Sequence, residues 1–254
     1  MSINPAKTLN LSARDQRSKK RFLDRLGVDK SSFIDLFSAC LDCGAMVQEA
    51  GSKLIVKGRR RSVDLKRGKI SFGDDAPRAI WYIGSEASSS RTWLWGYENI
   101  NRLGERLLTL ARDVRDFGLR HGLAALSTPK LALSAEINGH ALSAIACGLS
   151  REPLCYYRCP HAGGAVFVAF AAGECVSSDG AIKLSMDARG GLISLARDYI
   201  GAFQLNHAVF IKALLLRNGT KFSEAAGKIV ANFKNDALFS FDNLGRLSEV
   251  KVVV

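Results

Sequence analysis

Four groups of residues have side chains and spacings that chemistry could use. Tyr157, Arg158 and His161 stand just ahead of Gly163-Gly164, and a phenol, a guanidinium and an imidazole beside a glycine turn suit an anion-binding or active-site loop. A tight hairpin with polar surface residues accounts for the same pattern. Cys40 and Cys43 have Cys-X-X-Cys spacing, but a redox pair works at the start of a helix that follows a strand, where the dipole lowers a thiol pKa. The surrounding periodicity puts these two in mid-helix. Cys155, Cys159 and His161 are ligand types for tetrahedral zinc. Their spacing is that of a strand running into a turn and matches no zinc finger, so no metal is expected, and the six cysteines read as reduced, small buried hydrophobes.

The fourth group is aromatic. Trp93, Trp95 and Tyr97 alternate with Leu94 and Gly96, so on a strand all three rings share one face of a sheet. They suit either core packing beneath a helix or an aromatic-lined ligand groove. No Gly-X-Ser-X-Gly elbow, Cys/His nucleophile signature, P-loop or dinucleotide fingerprint is present, so no cofactor is expected and no reaction is named.

Charge points elsewhere. The formal balance is +12, and residues 1–78 hold 17 Lys or Arg against 9 Asp or Glu, which places two thirds of the excess in the first third of the chain. Arg14, Arg17, Lys19, Lys20 and Arg21 form one cluster; Lys57, Arg59, Arg60, Arg61, Lys66, Arg67 and Lys69 form another. Arg59, Arg60, Arg61 and Arg67 are the candidate polyanion contacts, with nucleic acid or an acidic protein as the partner and a plain solvated basic surface as the alternative.

These residues must be positioned by ordinary elements. At 47% hydrophobic and 24% charged residues the composition is that of a folded globular chain. No apolar run reaches the roughly 20 residues that cross a bilayer, and no apolar signal core follows Met1, so a cytoplasmic protein is expected. Residues 1–30 read as a basic polar arm or surface helix with Phe22, Leu23 and Leu26 on its inner side, and residues 31–254 as a single α+β domain with a possible subdivision near 127–138.

Helical spacing predicts a core helix over 32–50, then helices over 103–121, 140–149, 192–217 with a bend at Gly201, and about 223–233. Period-two alternation predicts a short strand at 54–56 and a hairpin of 63–65 with 70–72. Further strands are predicted at 79–85 and 92–97, a second hairpin at 155–158 and 165–172, and a last one at 237–241 and 246–253. The fold class is therefore α+β, an antiparallel sheet of hairpins packed against several amphipathic helices. Trp93, Trp95, Phe117 and Phe203 are expected to be largely buried.

Gly84-Ser85 followed by Arg91-Thr92-Trp93-Leu94-Trp95-Gly96-Tyr97-Glu98-Asn99 is the most distinctive segment. It resembles an uncharacterised bacterial family with a Gly-Ser, then Trp-Leu-Trp-(Ala/Gly)-aromatic-X-Asn pattern. His121-Gly122, Thr128-Pro129, Tyr156-Tyr157-Arg158, Pro160 and Gly163-Gly164 follow in the same order, so the likeness runs from about Ser31 to the C-terminus. Tyr97 stands where many relatives have Trp. The resemblance implies an α+β fold in a bacterial cytoplasm and brings no activity and no site residues. The expected function is that of a non-enzymatic binding or interaction protein. A nucleic-acid-binding protein using the basic N-terminal third and an enzyme with an unrecognised active site are the alternatives.

Overall fold

The computed structural model describes residues 22–175, 188–225, 227–233 and 235–252. The basic cluster at 14–21 lies outside the described residues, as does the side chain of Cys43. Residues 22–26 are helical, with Leu23 and Leu26 buried.

Helix α1 (Phe33–Gly51) starts where the spacing predicts, capped by Ser32, whose Oγ accepts from the Asp35 amide. It does not stop at Gly51. A π-helical turn, Ser52–Val56, carries it on until Lys57 and Gly58 take left-handed conformations (φ 51° and 65°). The strand expected at 54–56 is thereby overturned. Only Ile55 of that apolar trio is buried and Leu54 faces solvent, as one turn of helix dictates. Gly51 serves packing rather than termination: a Cβ there would lie 2.2 Å from the Cys155 Sγ that presses on the helix.

A sheet follows. Strands β1 (Arg61–Asp64), β2 (Lys69–Phe72), β3 (Arg78–Ala87), β4 (Thr92–Trp95) and β5 (Lys130–Ala132) pair in that order, while β7 (Gly164–Ala171) lies along the other side of β3 and pairs with β6 (Leu154–His161). Every pairing is antiparallel. Both faces are covered, which is why β7 reads as nearly continuous apolar sequence. One face sets Trp93, Trp95, Phe167 and Ala169 in the core shared with α1; the other sets Ile70, Phe72, Ile80, Val168 and Phe170 against Val47, Leu107 and Leu108.

Helix α2 (Glu105–His121) ends on left-handed Gly122 (φ 67°), and the short α3 (Ala124–Ser127) leads into β5. Helix α4 (Gly139–Leu149) is capped by Asn138, whose Oδ1 accepts from the Ala141 amide at 3.0 Å. Where α4 crosses α1, a Cβ on Gly148 would sit 2.4 Å from the Cβ of Cys40.

Two expectations for the C-terminal third give way. The single helical region at 192–217 is two helices, α5 (Ala188–Ala202) and α6 (His207–Arg217). The break falls at 203–206 rather than at Gly201, because Asn206 is tied to α1: its amide donates to Ser38 Oγ (2.8 Å) and its Nδ2 to Asp35 Oδ1 (2.9 Å), while its own Oδ1 caps α6. The helix expected around 223–233 is a hairpin, β8 (Phe222–Ala225) and β9 (Lys228–Ala231), with Gly227 at φ 73° in the turn. Ile229 and Ala231 face the core from alternate positions of β9, so period-two burial outweighs the local helix propensity of the alanines.

Strands β10 (Ala237–Phe241) and β11 (Leu247–Val252) form the predicted last hairpin and complete a second sheet in the order β11-β10-β9-β8. Phe239 and Ala237 join Phe210 and Leu214 of α6 in the core, and the Leu247 amide donates to His207 Nδ1 at 2.8 Å, pinning β11 to the start of α6. The chain is α+β with antiparallel sheets. No helix among the described residues is long and apolar enough to cross a membrane.

Trp93 and Trp95 are buried at 0% and 1% exposure. Phe117 and Phe203 are only half-buried, against expectation. Phe117 packs on His121 at the rim of α2 (centroids 4.4 Å apart), and Phe203 sits in the break between α5 and α6, edge-on to Phe37.

Candidate functional site

Strand alternation divides the polar trio at the β6–β7 turn. Tyr156 joins the core on the α4 side and Tyr157, with Cys159, the opposite one. Arg158 stands on the Tyr156 side, where its Nε and Nη2 both donate to Glu86 Oε1, at 2.8 and 2.6 Å. His161 ends β6 at the turn, its Nδ1 accepting from the Gly163 amide at 3.2 Å. The three side chains do not converge.

What converges instead is Glu86 of β3, Arg158 and Tyr156 of β6, and His140 of α4. His140 Nδ1 lies 3.2 Å from the Tyr156 hydroxyl, and its ring is edge-on to Phe167. Two glycines make this assembly possible. A Cβ on Gly139 would meet Phe167 Cζ at 2.5 Å and Glu86 Oε2 at 2.9 Å, and a Cβ on Gly164 would lie 2.0 Å from the Glu86 carbonyl oxygen. Burial holds the Tyr156 hydroxyl protonated far above its ordinary pKa and lowers that of His140, with Glu86 opposing the latter and Arg158 reinforcing it. A neutral phenol, a neutral imidazole and a carboxylate matched by a guanidinium fasten the first turn of α4 to the sheet.

The aromatic trio is interior. Trp93 packs edge-on to Trp95 and Phe167, and Trp95 stacks on Tyr97, which lies in a 3₁₀ turn (Gly96–Glu98) rather than on the strand. Trp95 Nε1 donates to the Ala125 carbonyl at 3.0 Å and the Tyr97 hydroxyl to that of Leu126 at 3.2 Å, so the polar atoms of these two rings hold the α2–α3 corner. Among the described residues no group of three or more His, Cys, Asp or Glu is placed to hold a metal. Cys40, Cys147, Cys155, Cys159 and Cys175 are buried.

The second basic cluster is partly inward and partly open. Arg59 turns in: Nη1 and Nη2 bind Asp75 at 2.9 and 2.6 Å, and Nη2 also donates to the Ile55 carbonyl. Its guanidinium thus closes the loop after α1. Lys57, Arg60, Arg61, Lys66 and Lys69 are exposed and form no ion pair with a described residue. Arg67 lies 3.7 Å from Asp64 with its side chain 85% exposed. Folding adds Arg106, whose guanidinium reaches the Gly68 turn from the first turn of α2.

Sequence reasoning missed Glu86, His140, Tyr156 and Arg106. The alternation of β6 would have paired Tyr156 with Arg158; nothing local signals the other three.

A pH dependence follows from the two lowered histidines. Burial depresses His140 and also His207, where Asp242 opposes and Arg246 adds to the effect. The unfolded chain therefore takes up protons near pH 6.5 that the folded chain refuses, and stability falls as pH drops below about 6.5. The urea midpoint is expected to fall between about pH 7.5 and about pH 5.5, where carboxylates are still ionised. In His207→Gln, which keeps an acceptor for the Leu247 amide, the fall should be smaller. An unchanged pH slope in that variant would remove His207 from the account.

Neither the curated proteins nor the solved structures include a match to this chain. A family model matches residues 34–172, more than half of the chain and the stretch from α1 to the end of β7. The match ends before α5, short of the C-terminal reach expected from the motifs. This segment contains both basic and polar groups described above, and by it the chain belongs to a family of unknown function, DUF6882.

Proposed function

We propose that the chain is a non-enzymatic binding protein that holds a polyanion on the β1–β2 hairpin. The observation that supports this is the open row of Lys57, Arg60, Arg61, Lys66 and Lys69, exposed and without an ion-pair partner among the described residues. Arg61 begins β1 and Lys66 lies in the turn beyond its far end, with a four-residue strand of about 10 Å between. A polymer with one charge per roughly 1.7 Å of axis can touch both ends at once, and a mononucleotide only one. The divergence of Tyr157, Arg158 and His161 favours binding over catalysis at the neighbouring turn, since acid–base or nucleophilic work needs groups within hydrogen-bond reach.

The test is fluorescence anisotropy with labelled DNA and RNA, single- and double-stranded, from about 50 to about 200 mM salt. Affinity should fall linearly on a log–log plot. Replacing Lys57, Arg60 and Lys66 by Gln should flatten the slope by about 2 to 3, close to one unit for each lost phosphate contact. Polyglutamate in the same titration covers an acidic protein partner. Absence of binding at the lowest salt, or a triple variant with an unchanged slope, would overturn the proposal.

A further inference from the structure

The hairpin has an aromatic partner that chain order conceals. Tyr157 lies 96 positions beyond Arg61, yet the Arg61 guanidinium sits over its ring, 5.3 Å from the centroid. The ring is fixed from the side by Phe72, which meets it edge-on at 5.5 Å. Tyr157 is half-buried and Arg61 exposed, so the pair, drawn from β6 and β1, is a supported platform beside the hairpin. A guanidinium seated over a ring is held in place while its remaining surface stacks with a base and its N–H groups reach phosphate.

The same hairpin cannot act as a groove reader. A free two-stranded ribbon enters the major groove of a duplex, but the tip of this one is pressed onto α2. A Cβ on Gly68 would lie 2.7 Å from Leu107 Cδ2 and 3.1 Å from Arg106 Nη2. Exposed cations beside an aromatic platform are the parts used to hold a single strand, whose bases have open faces that a duplex lacks.

We infer that the polyanion is a single-stranded nucleic acid, one base of which stacks on the Arg61–Tyr157 pair. This rests on the polyanion reading above. The probes are a short oligothymidylate, an oligouridylate, a duplex of the same length, and inorganic polyphosphate, which has the charge and no bases. The full chain should bind the single strands more tightly than the duplex or polyphosphate, with oligothymidylate and oligouridylate separating DNA from RNA.

Arg61→Lys keeps the charge and removes the plane, and its exposed position leaves the fold intact, as circular dichroism would verify. It should lower single-strand affinity about tenfold, the effect of losing one stacked base, and leave polyphosphate binding unchanged. Equal binding of polyphosphate and single strands, a duplex preference, or an Arg61→Lys variant that weakens both ligands alike or neither would overturn the stacking inference and leave the polyanion reading standing. Failure of all four probes to bind would remove that reading itself.

Discussion

Trp93→Ala lowers the unfolding free energy by about 3 to 5 kcal/mol, the range for removing a large buried aromatic ring. Trp93 has no exposed surface and touches Trp95 and Phe167 edge-on. The indole also covers Gly84 on the neighbouring strand, where a Cβ would meet Trp93 Cζ2 at 2.4 Å. Glycine on β3 and tryptophan on β4 are thus one packing unit: the missing side chain is the space the ring occupies. Deleting the ring opens a void beside β3 and β7 that the bare backbone at Gly84 cannot fill. Trp93→Phe should cost less, because Trp93 Nε1 has no hydrogen-bond partner among the described residues and its loss leaves no acceptor stranded. Denaturant unfolding measures both. A loss below about 1 kcal/mol for the alanine variant would show that the ring is not part of the core.

Gly164→Ala is expected to cost about 3 kcal/mol, from left-handed backbone strain and a steric clash together. At φ 152° Gly164 starts β7 in a conformation that residues with side chains rarely adopt, and the new methyl would fall 2.0 Å from the Glu86 carbonyl oxygen and 3.1 Å from the Ala87 Cα. Relief requires β7 to move away from β3, which also disturbs the Glu86–Arg158 pair. The adjacent Gly163 is the internal control. A Cβ there approaches nothing nearer than 3.5 Å, the His161 ring, so Gly163→Ala should change stability by only a few tenths of a kcal/mol. Equal unfolding midpoints for the two variants would contradict the close approach of β3 and β7.

Local pattern made much of the fold legible. The β6–β7 hairpin, the terminal hairpin at Asp242–Gly245 and the α2 stop at Gly122 each depend on residues only a few positions apart, and each lies where the pattern puts it. Where local signals were weak or equal, the tertiary surroundings chose. Leu54, Ile55 and Val56 suit a strand or a helical turn, and the contact of Cys155 with Gly51 goes with the turn. Phe222 to Ala231 contains helix-forming alanines, yet burial of Ile229 and Ala231 on one side makes it a hairpin. The break before α6 comes from Asn206 binding Asp35 and Ser38, about 170 positions earlier.

The sites divide in the same way. Composition along the chain determined that one of its two basic clusters would lie at and just before the β1–β2 hairpin, because charge is additive and needs no neighbour to be counted. Which of those charges are open was decided by tertiary structure alone: Arg59 is consumed by Asp75, Arg106 is added from α2, and Arg61 receives the ring of Tyr157. Glu86 meets Arg158 across 72 positions for the same reason. Periodicity determines which way a side chain points from its own element; which element it then meets is settled only when both faces of the sheet are buried at once.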